Sequence, residues 1–241
     1  MALIKIHTTT STNDALKTMI KEEMPENFTT ISADFQTKGR GMQTNEWLSE
    51  SSKNLLFSTL IIHEQWDVKN HFKLNEMVSL AIVDVLSVYV KPVLIKWPND
   101  ILADSKKLAG ILIENVIKGS YINYSIVGVG LNINQTNFET IENKATSLAL
   151  LTGKEYVLDD ILNQIVERFI FYFEQTCHPN LHDDYLSKLF GYQDFVNYKT
   201  KDNKPLRAKI VDVERLGLLV LEDEGGNRST FNKKEISWFD F

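Results

Sequence analysis

Lys96-Trp97-Pro98-Asn99-Asp100, followed by Lys107-Leu108-Ala109-Gly110-Ile111-Leu112-Ile113-Glu114, places two lysines, an Asn-Asp pair and a glycine on two short apolar runs. Val93–Trp97 and Leu108–Val116 are apolar, partly β-branched and bounded by turn formers, so both are predicted strands. Asp104-Ser105-Lys106 is the tight polar turn that would join them into a hairpin. Such a hairpin holds Lys96 and Lys107 on rigid backbone beside Asn99 and Asp100, a pair suited to nucleotide hydroxyls or a magnesium ion. Ammonium groups next to a metal-capable carboxylate suit chemistry on a phosphate. Any one of these lysines alone reads as an ordinary surface charge. The whole string is far more specific than its parts.

Working outward, Tyr121–Ile133 reads as a strand, and its Val127-Gly128-Val129-Gly130-Leu131-Asn132 core leaves room for a ligand against bare backbone or forms a bulged core strand. Upstream lie predicted strands Leu3–His7, Thr29–Asp34 and Leu55–Ile62, and predicted helices Asn13–Glu23 and Phe72–Val90. Downstream, Asp159–Thr176 reads as a helix capped by Asp159 or Asp160, and Asp183–Phe190 as a shorter one. Strands outnumber helices and short turns join many of them. That predicts an α+β fold with a mixed, largely antiparallel sheet and helices on one face. Past Gly191 the texture changes to short strands, Arg207–Val213, Leu218–Leu221 and Arg228–Phe231, with a turn signal at Glu222–Asn227. The expected organisation is a larger domain over 1–190 and a small β-barrel over 191–241.

The chain has 241 residues, 43% of them apolar, enough for one substantial core and a small second one. A net charge of −6 argues against an extended nucleic-acid surface, so any cations serving a phosphate must be concentrated locally. No apolar run approaches the roughly 18 residues of a membrane span, and the first residues lack a signal-peptide plan. A lone cysteine, Cys177, excludes an internal disulfide framework and fits a reducing cytoplasm; it reads as a buried or half-buried thiol. The five histidines show no metal-ligand spacing, since Pro179 interrupts any helix between His178 and His182.

Two further pieces complete the pattern. Gln36-Thr37-Lys38-Gly39-Arg40-Gly41-Met42 runs on to Trp47, and its glycines allow amides to approach an anion while Arg40 supplies a planar fork of donors. A loop of this kind is also a common surface turn. Thr10-Ser11-Thr12-Asn13 precedes a helical pattern, so helix capping is its ordinary reading, without excluding binding. In this order, the four pieces resemble the biotin protein ligase family, also called biotin–acetyl-CoA-carboxylase ligase. The likeness runs from Ser11 to the C-terminus, with weaker matches at Thr146-Ser147-Leu148 and Leu151-Thr152-Gly153.

The resemblance implies a class II aminoacyl-tRNA-synthetase-like catalytic domain with an SH3-like C-terminal domain. It implies a two-step reaction in which biotin and ATP give biotinyl-5′-adenylate, followed by transfer to a lysine of a biotin carboxyl carrier protein domain, with Mg²⁺ assisting. By the same resemblance Lys107 is the main catalytic cation, joined by Arg40 and Lys96. Ser11, Thr12, Asn13, Gln36, Gly39, Arg40, Gly41, Trp47, Lys107, Gly110, Gly128 and Gly130 would bind biotin. Arg40, Met42, Trp47, Lys96, Asn99, Asp100, Lys107 and Asn132 would bind ATP, with Asp100 as the magnesium contact. The Gly39–Trp47 loop is expected to close over the ligand.

Some relatives carry an N-terminal DNA-binding domain; here the motifs begin within a dozen residues of Met1, so a short form that binds neither DNA nor membrane is expected, as monomer or homodimer. One departure stands out. Met42 occupies a position where many relatives have an arginine that contacts the adenylate, which predicts a leakier intermediate unless another cation, such as Lys38 or Arg215, substitutes. The competing readings are a lipoate or octanoate ligase or transferase of related fold, and a non-catalytic biotin sensor.

Overall fold

The computed structural model describes residues 2–42, 45–138, 144–175 and 178–238. Its centre is a seven-stranded sheet in the order β1-β2-β3-β7-β6-β5-β4. The strands are β1 (Leu3–Thr9), β2 (Thr30–Gln36), β3 (Leu55–Asp67), β4 (Val93–Lys96), β5 (Asp100–Ala103), β6 (Lys106–Lys118) and β7 (Tyr121–Leu131). Only β1 and β2 run parallel, with helix α1 (Thr12–Glu22) as their crossover; the other neighbours are antiparallel. The expected mixed, mainly antiparallel α+β architecture is therefore present.

The predicted Lys96–Lys107 hairpin is in fact three strands. Trp97-Pro98-Asn99 turns the chain from β4 into β5, and Asp104-Ser105, both at positive φ, turn it into β6. Asp100–Ala103 lies between two turn-forming segments, which hide it as a separate strand.

Helices do not keep to one face, contrary to expectation. α2 (His71–Leu86), α4 (Leu158–Glu174) and α5 (Leu181–Ser187) share the main core with Phe57, Ile61, Val127 and Val129. On the other face α1 buries Leu16 against Ile31, Leu60 and Ile126. The cause is the two-residue period of the sheet: β3 and β7 carry apolar side chains at alternate positions on both sides, so both sides must be covered. The short helix α3 (Leu148–Thr152) is capped by Ser147, whose side chain accepts from Leu150 N. α4 begins one residue before the predicted start, after Val157; Asp159 and Asp160 lie in its first turn and favour its positive end without capping it.

The second sheet has five strands in the order β11-β10-β9-β8-β12: β8 (Val196–Thr200), β9 (Pro205–Val213), β10 (Leu219–Asp223), β11 (Arg228–Phe231) and β12 (Ile236–Trp238). This agrees with the expected SH3-like element; β8 and β12 are not among the predicted strands. Its apolar residues, among them Tyr198, Ile210, Leu219 and Trp238, continue the main core. Trp97 Nε1 donates to the Gly217 carbonyl at 3.0 Å, and Phe72 packs where a side chain on Gly217 would stand. The reading of Cys177 falls outside the described residues.

Candidate active site

Directly paired residues of antiparallel strands share a face, and the register writes one row across five strands on the α1 side. Leu56 of β3 pairs Gly130 of β7, Gly130 pairs Gly110 of β6, Gly110 pairs Asp100 of β5, and Asp100 pairs Lys96 of β4. A second row beside it runs Ser58, Gly128, Leu112. The glycines thin the sheet where α1 begins, and the charged residues stand at the edge of that depression.

A cavity over this floor is walled by Ser11, Thr12, Asn13, Gln36, Arg40, Gly41, Met42, Trp47, Asn99, Asp100, Lys107, Gly110, Gly128 and Gly130. A second cavity, sharing Trp47, Asp100 and Lys107 with the first, adds Lys96 and Asn132. Of the residues chosen from sequence, Gly39 alone lines neither; it lies behind the loop, its backbone against that of Trp47. Glu46, Lys144 and Lys233 also line these walls and were not chosen from sequence.

The end beside α1 is neutral and tightly bonded. Ser11 occupies the N-cap position, yet its side chain caps nothing, so the ordinary capping reading of Ser11 does not hold. Instead Gln36 Oε1, from β2, accepts from Thr12 N at 2.7 Å. Ser58 Oγ lies 2.7 Å from Thr12 Oγ1 and 2.6 Å from Asn13 Oδ1, all three side chains buried. Asn13 Nδ2 donates to Glu114 at 2.7 Å. Asn13 is thereby used at both ends and fills the space over Gly128, so it shapes the floor instead of leaving Gly128 bare.

The indole of Trp47 lies on the glycines, within the space that a side chain on Gly130 would occupy and 3.0 Å from one built on Gly110. The remaining volume of the first cavity is about 120 Å³, below the roughly 300 Å³ of ordinary ligand clefts. The ring must move for a ligand of biotin's size to enter. Backbone bonds Gly41 N to Asn45 O (2.8 Å) and Trp47 N to Gly39 O (2.9 Å) pair the two arms of its loop.

Arg40 reaches the wall, but its guanidinium is held by carboxylates: Nη2 donates to Asp14 at 2.6 Å and Glu114 at 3.2 Å. Burial alone would raise the Glu114 pKa, but hydrogen bonds from Lys17 and Asn13 and the charge of Arg40 outweigh it and hold the carboxyl below its usual range. The carboxylates of α1 and β6 thus hold its fork at the cavity wall.

The opposite end is cationic. Lys107 Nζ pairs with Asp100 Oδ1 at 2.8 Å and stands 5.4 Å from the centre of the Trp47 ring. Burial pushes the Lys96 ammonium down to about 8; Asp100 opposes this, and Lys233, Lys107 and Lys144 add repulsion. Asn99 braces β6 by donating to the Ile111 carbonyl at 2.8 Å, which leaves its second N–H and its oxygen on the cavity wall. Asn132 donates to the Thr146 carbonyl at 3.0 Å, while its buried Oδ1 has no protein partner among the described residues. A buried acceptor that the protein leaves unpaired calls for an explanation, and a donor on a ligand or water is one. Among the described residues no group of three or more His, Cys, Asp or Glu side chains could hold a metal. Asp100 lines both cavities and is paired with Lys107.

The chain that carries this site has known relatives. Residues 6–132, more than half of the chain, match the biotin/lipoate A/B protein ligase family. The bifunctional ligase/repressor BirA of Bacillus subtilis is 28% identical over 92% of this chain and 70% of its own length. The biotin–[acetyl-CoA-carboxylase] ligase of Mycobacterium tuberculosis is 28% identical over 80% of this chain and 73% of its own. Among solved structures, the biotin protein ligase of Aquifex aeolicus in complex with biotin and ATP superposes with a TM-score of 0.79 at 27% identity, covering 98% of this chain and 97% of that one. The chain belongs to the biotin/lipoate A/B protein ligase family.

Proposed function

We propose that this protein is an ATP-dependent biotin protein ligase that activates biotin as biotinyl-5′-adenylate and transfers it to a lysine of a biotin carboxyl carrier protein domain. The observation that carries the reading is the single row Gly130, Gly110, Asp100, Lys96, with Lys107 beside it: a floor for a flat ligand that ends in ammonium groups.

A carboxylate does not acylate an amine at neutral pH until its oxygen becomes part of a good leaving group. In the first step a biotin carboxylate oxygen bonds to the α-phosphorus, and the bond to pyrophosphate breaks with its electron pair leaving on pyrophosphate. Two anions must meet, and fixed positive charge in a water-poor cleft reduces that cost. Lys107, between the glycine floor and Asp100, is the cation at that meeting point. Lys96 stands on the nucleotide side, and Asn132 Oδ1 accepts from adenine. Ser11, Thr12 and Gln36 present polar groups to the ureido edge of biotin, and Trp47, once displaced from Gly130, covers the apolar side. Asp100 would hold a magnesium ion, which supplies charge neutralisation to the phosphates.

In the second step the carrier lysine attacks the biotinyl carbonyl and AMP leaves. We place the boundary between the catalytic unit and the SH3-like unit at 190/191, on the grounds that α5 ends the first set of elements and β8 opens the second. A cytoplasmic, non-DNA-binding enzyme is the matching assignment. It rests on the single cysteine, the net charge of −6 and, among the described residues, no helix long and apolar enough to cross a membrane. The test is ATP–pyrophosphate exchange by the purified protein. Exchange that needs biotin is expected; exchange supported by lipoate or octanoate, or none with any acid, would overturn the reading.

A further inference from the structure

Resting on that reading, we propose that Lys233, carried by the C-terminal five-stranded sheet, contacts the triphosphate of ATP during adenylation and has no part in the later transfer step. Lys233 sits in the turn between β11 and β12, far in sequence from every motif of the catalytic unit. Yet it lines the first cavity together with Met42, Asp100 and Lys107.

The turn is built to hold its shape. Asn232 N donates to Glu235 Oε2 at 2.9 Å, Lys234 N donates to Asn232 Oδ1 at 2.9 Å, and Glu235 N donates to the Asn232 carbonyl at 3.0 Å. The sheet beneath it is seated on the catalytic unit by the Trp97–Gly217 hydrogen bond and by Trp238, over which Lys96 Nζ stands at 6.0 Å. The side chain is therefore delivered to the cleft by a fixed frame.

Its ammonium has no hydrogen bond or ion pair among the described residues, although Asp100 and Lys107 are close enough to act on its charge. The side chain is reached by solvent, but protein crowds its charged end, and that crowding lowers its pKa; Asp100 pulls the other way and Lys107 adds to the lowering. Gathering ammonium groups around a carboxylate already paired by Lys107 costs repulsion. A ligand of high negative charge would relieve it. The single charge of an acyl-adenylate is answered by Lys107; a triphosphate gives the further lysines a partner. Met42, on the same wall, offers no donor, and neither Lys38 nor Arg215 lines this cavity. Lys233 is the C-terminal cation that does.

The experiment uses the full chain with Lys233→Ala and Lys233→Arg. Two rates are compared: biotin-dependent exchange of labelled pyrophosphate, and transfer to a carrier domain from pre-formed biotinyl-5′-adenylate. Lys233→Ala is expected to lower kcat/KM for ATP about ten- to a hundredfold, the effect of losing one charge-assisted contact. Transfer should stay within about twofold of wild type, and Lys233→Arg should recover most of the exchange. Exchange unchanged in Lys233→Ala, or exchange and transfer falling together in both variants, would overturn the proposal. Wild-type protein without biotin-dependent exchange would instead sink the ligase reading itself. Thermal midpoints matching wild type are expected for both variants, because the turn is held by Asn232 and Glu235 rather than by Lys233.

Discussion

The floor beside α1 and the cluster beside β4 and β5 lie on one face of one sheet, but they are made of different materials. At the first, buried Ser58, Thr12 and Asn13 and half-buried Gln36 satisfy one another in a neutral network. At the second, Lys96, Lys107, Lys144 and Lys233 surround Asp100, and burial and mutual repulsion lower the pKa of Lys96 and Lys233. A finished hydrogen-bond network fixes shape and so selects a ligand; an excess of like charge stores an attraction for a partner not yet present. The neutral end should then govern which acid binds, and the cationic end how fast it reacts. That division can be broken by experiment.

The largest effect belongs to Lys107. Lys107→Ala removes a preorganised charge donor and leaves Asp100 without its 2.8 Å partner. Exchange should fall by about 10²–10³, mostly in kcat, as for the loss of one fixed donor at a developing charge. Exchange within about tenfold of wild type would remove Lys107 from the meeting point of carboxylate and phosphate.

At the neutral end, Ser58→Ala should act on binding. It strips the partner from buried Asn13 Oδ1 and one of two from Thr12 Oγ1, which keeps Gln36 Oε1 at 3.2 Å; leaving a buried acceptor unsatisfied costs about 1–3 kcal/mol. The biotin Kd, read by calorimetry, should weaken accordingly while kcat at saturating biotin stays near wild type. A fall in kcat with an unchanged Kd would dissolve the proposed division between the two ends.

A pH series tests the cationic end without mutation. Lys96, lowered to about 8, is the group whose charge is lost first as pH rises. Its protonated form is the one that attracts phosphate, so KM for ATP should be flat below about pH 7 and rise about tenfold by pH 9. The biotin Kd should not follow. Lys96→Arg, which stays charged, should flatten the profile; a profile unchanged by that substitution would assign the titration to another group.

The contrast between the two ends also explains how much could be read from sequence. Lys96, Asp100, Lys107 and Gly110 were legible because they are close in the chain and sit on strands with clear apolar runs. The α+β class followed from the same runs. Asp100–Ala103 escaped as a strand because turn formers crowd it on both sides, Pro98-Asn99 before it and Asp104-Ser105 after it. Ser58 was hidden inside the apolar run Leu55–Ile62, where its significance depends on register: pairing with Gly128 is what turns it toward Asn13. Lys233 gave no local signal, since only the docking of the second sheet brings it to the cleft. Met42 was visible as a departure, but the cation beside it was not.

That docking has its own titratable clasp, and it supplies the smallest effect. His182 Nδ1 lies 2.7 Å from Glu76 of α2 and Nε2 lies 2.8 Å from Asp212 of β9, so one imidazole joins the catalytic unit to the second sheet. In sequence it was merely the second of two histidines separated by a proline. The Glu76 hydrogen bond raises its pKa to about 9 against the opposition of burial, with Asp212 adding to the rise. A pKa higher in the folded than in the unfolded chain means that the charged form stabilises the fold. The contribution is complete below about 6.5 and is lost as pH climbs through about 9. The imidazole is 42% exposed, so solvent screening reduces its worth. His182→Gln should lower Tm by about 2–4 °C at pH 6, the shift expected for roughly 1 kcal/mol in a chain of this size. The gap should close by about pH 10, where the wild-type imidazole is neutral. If the second sheet carries an ATP contact, the same variant at pH 7 should raise KM for ATP and leave the biotin Kd unaltered. A Tm difference that stays constant from pH 6 to pH 10 would show that His182 acts by packing and not by charge.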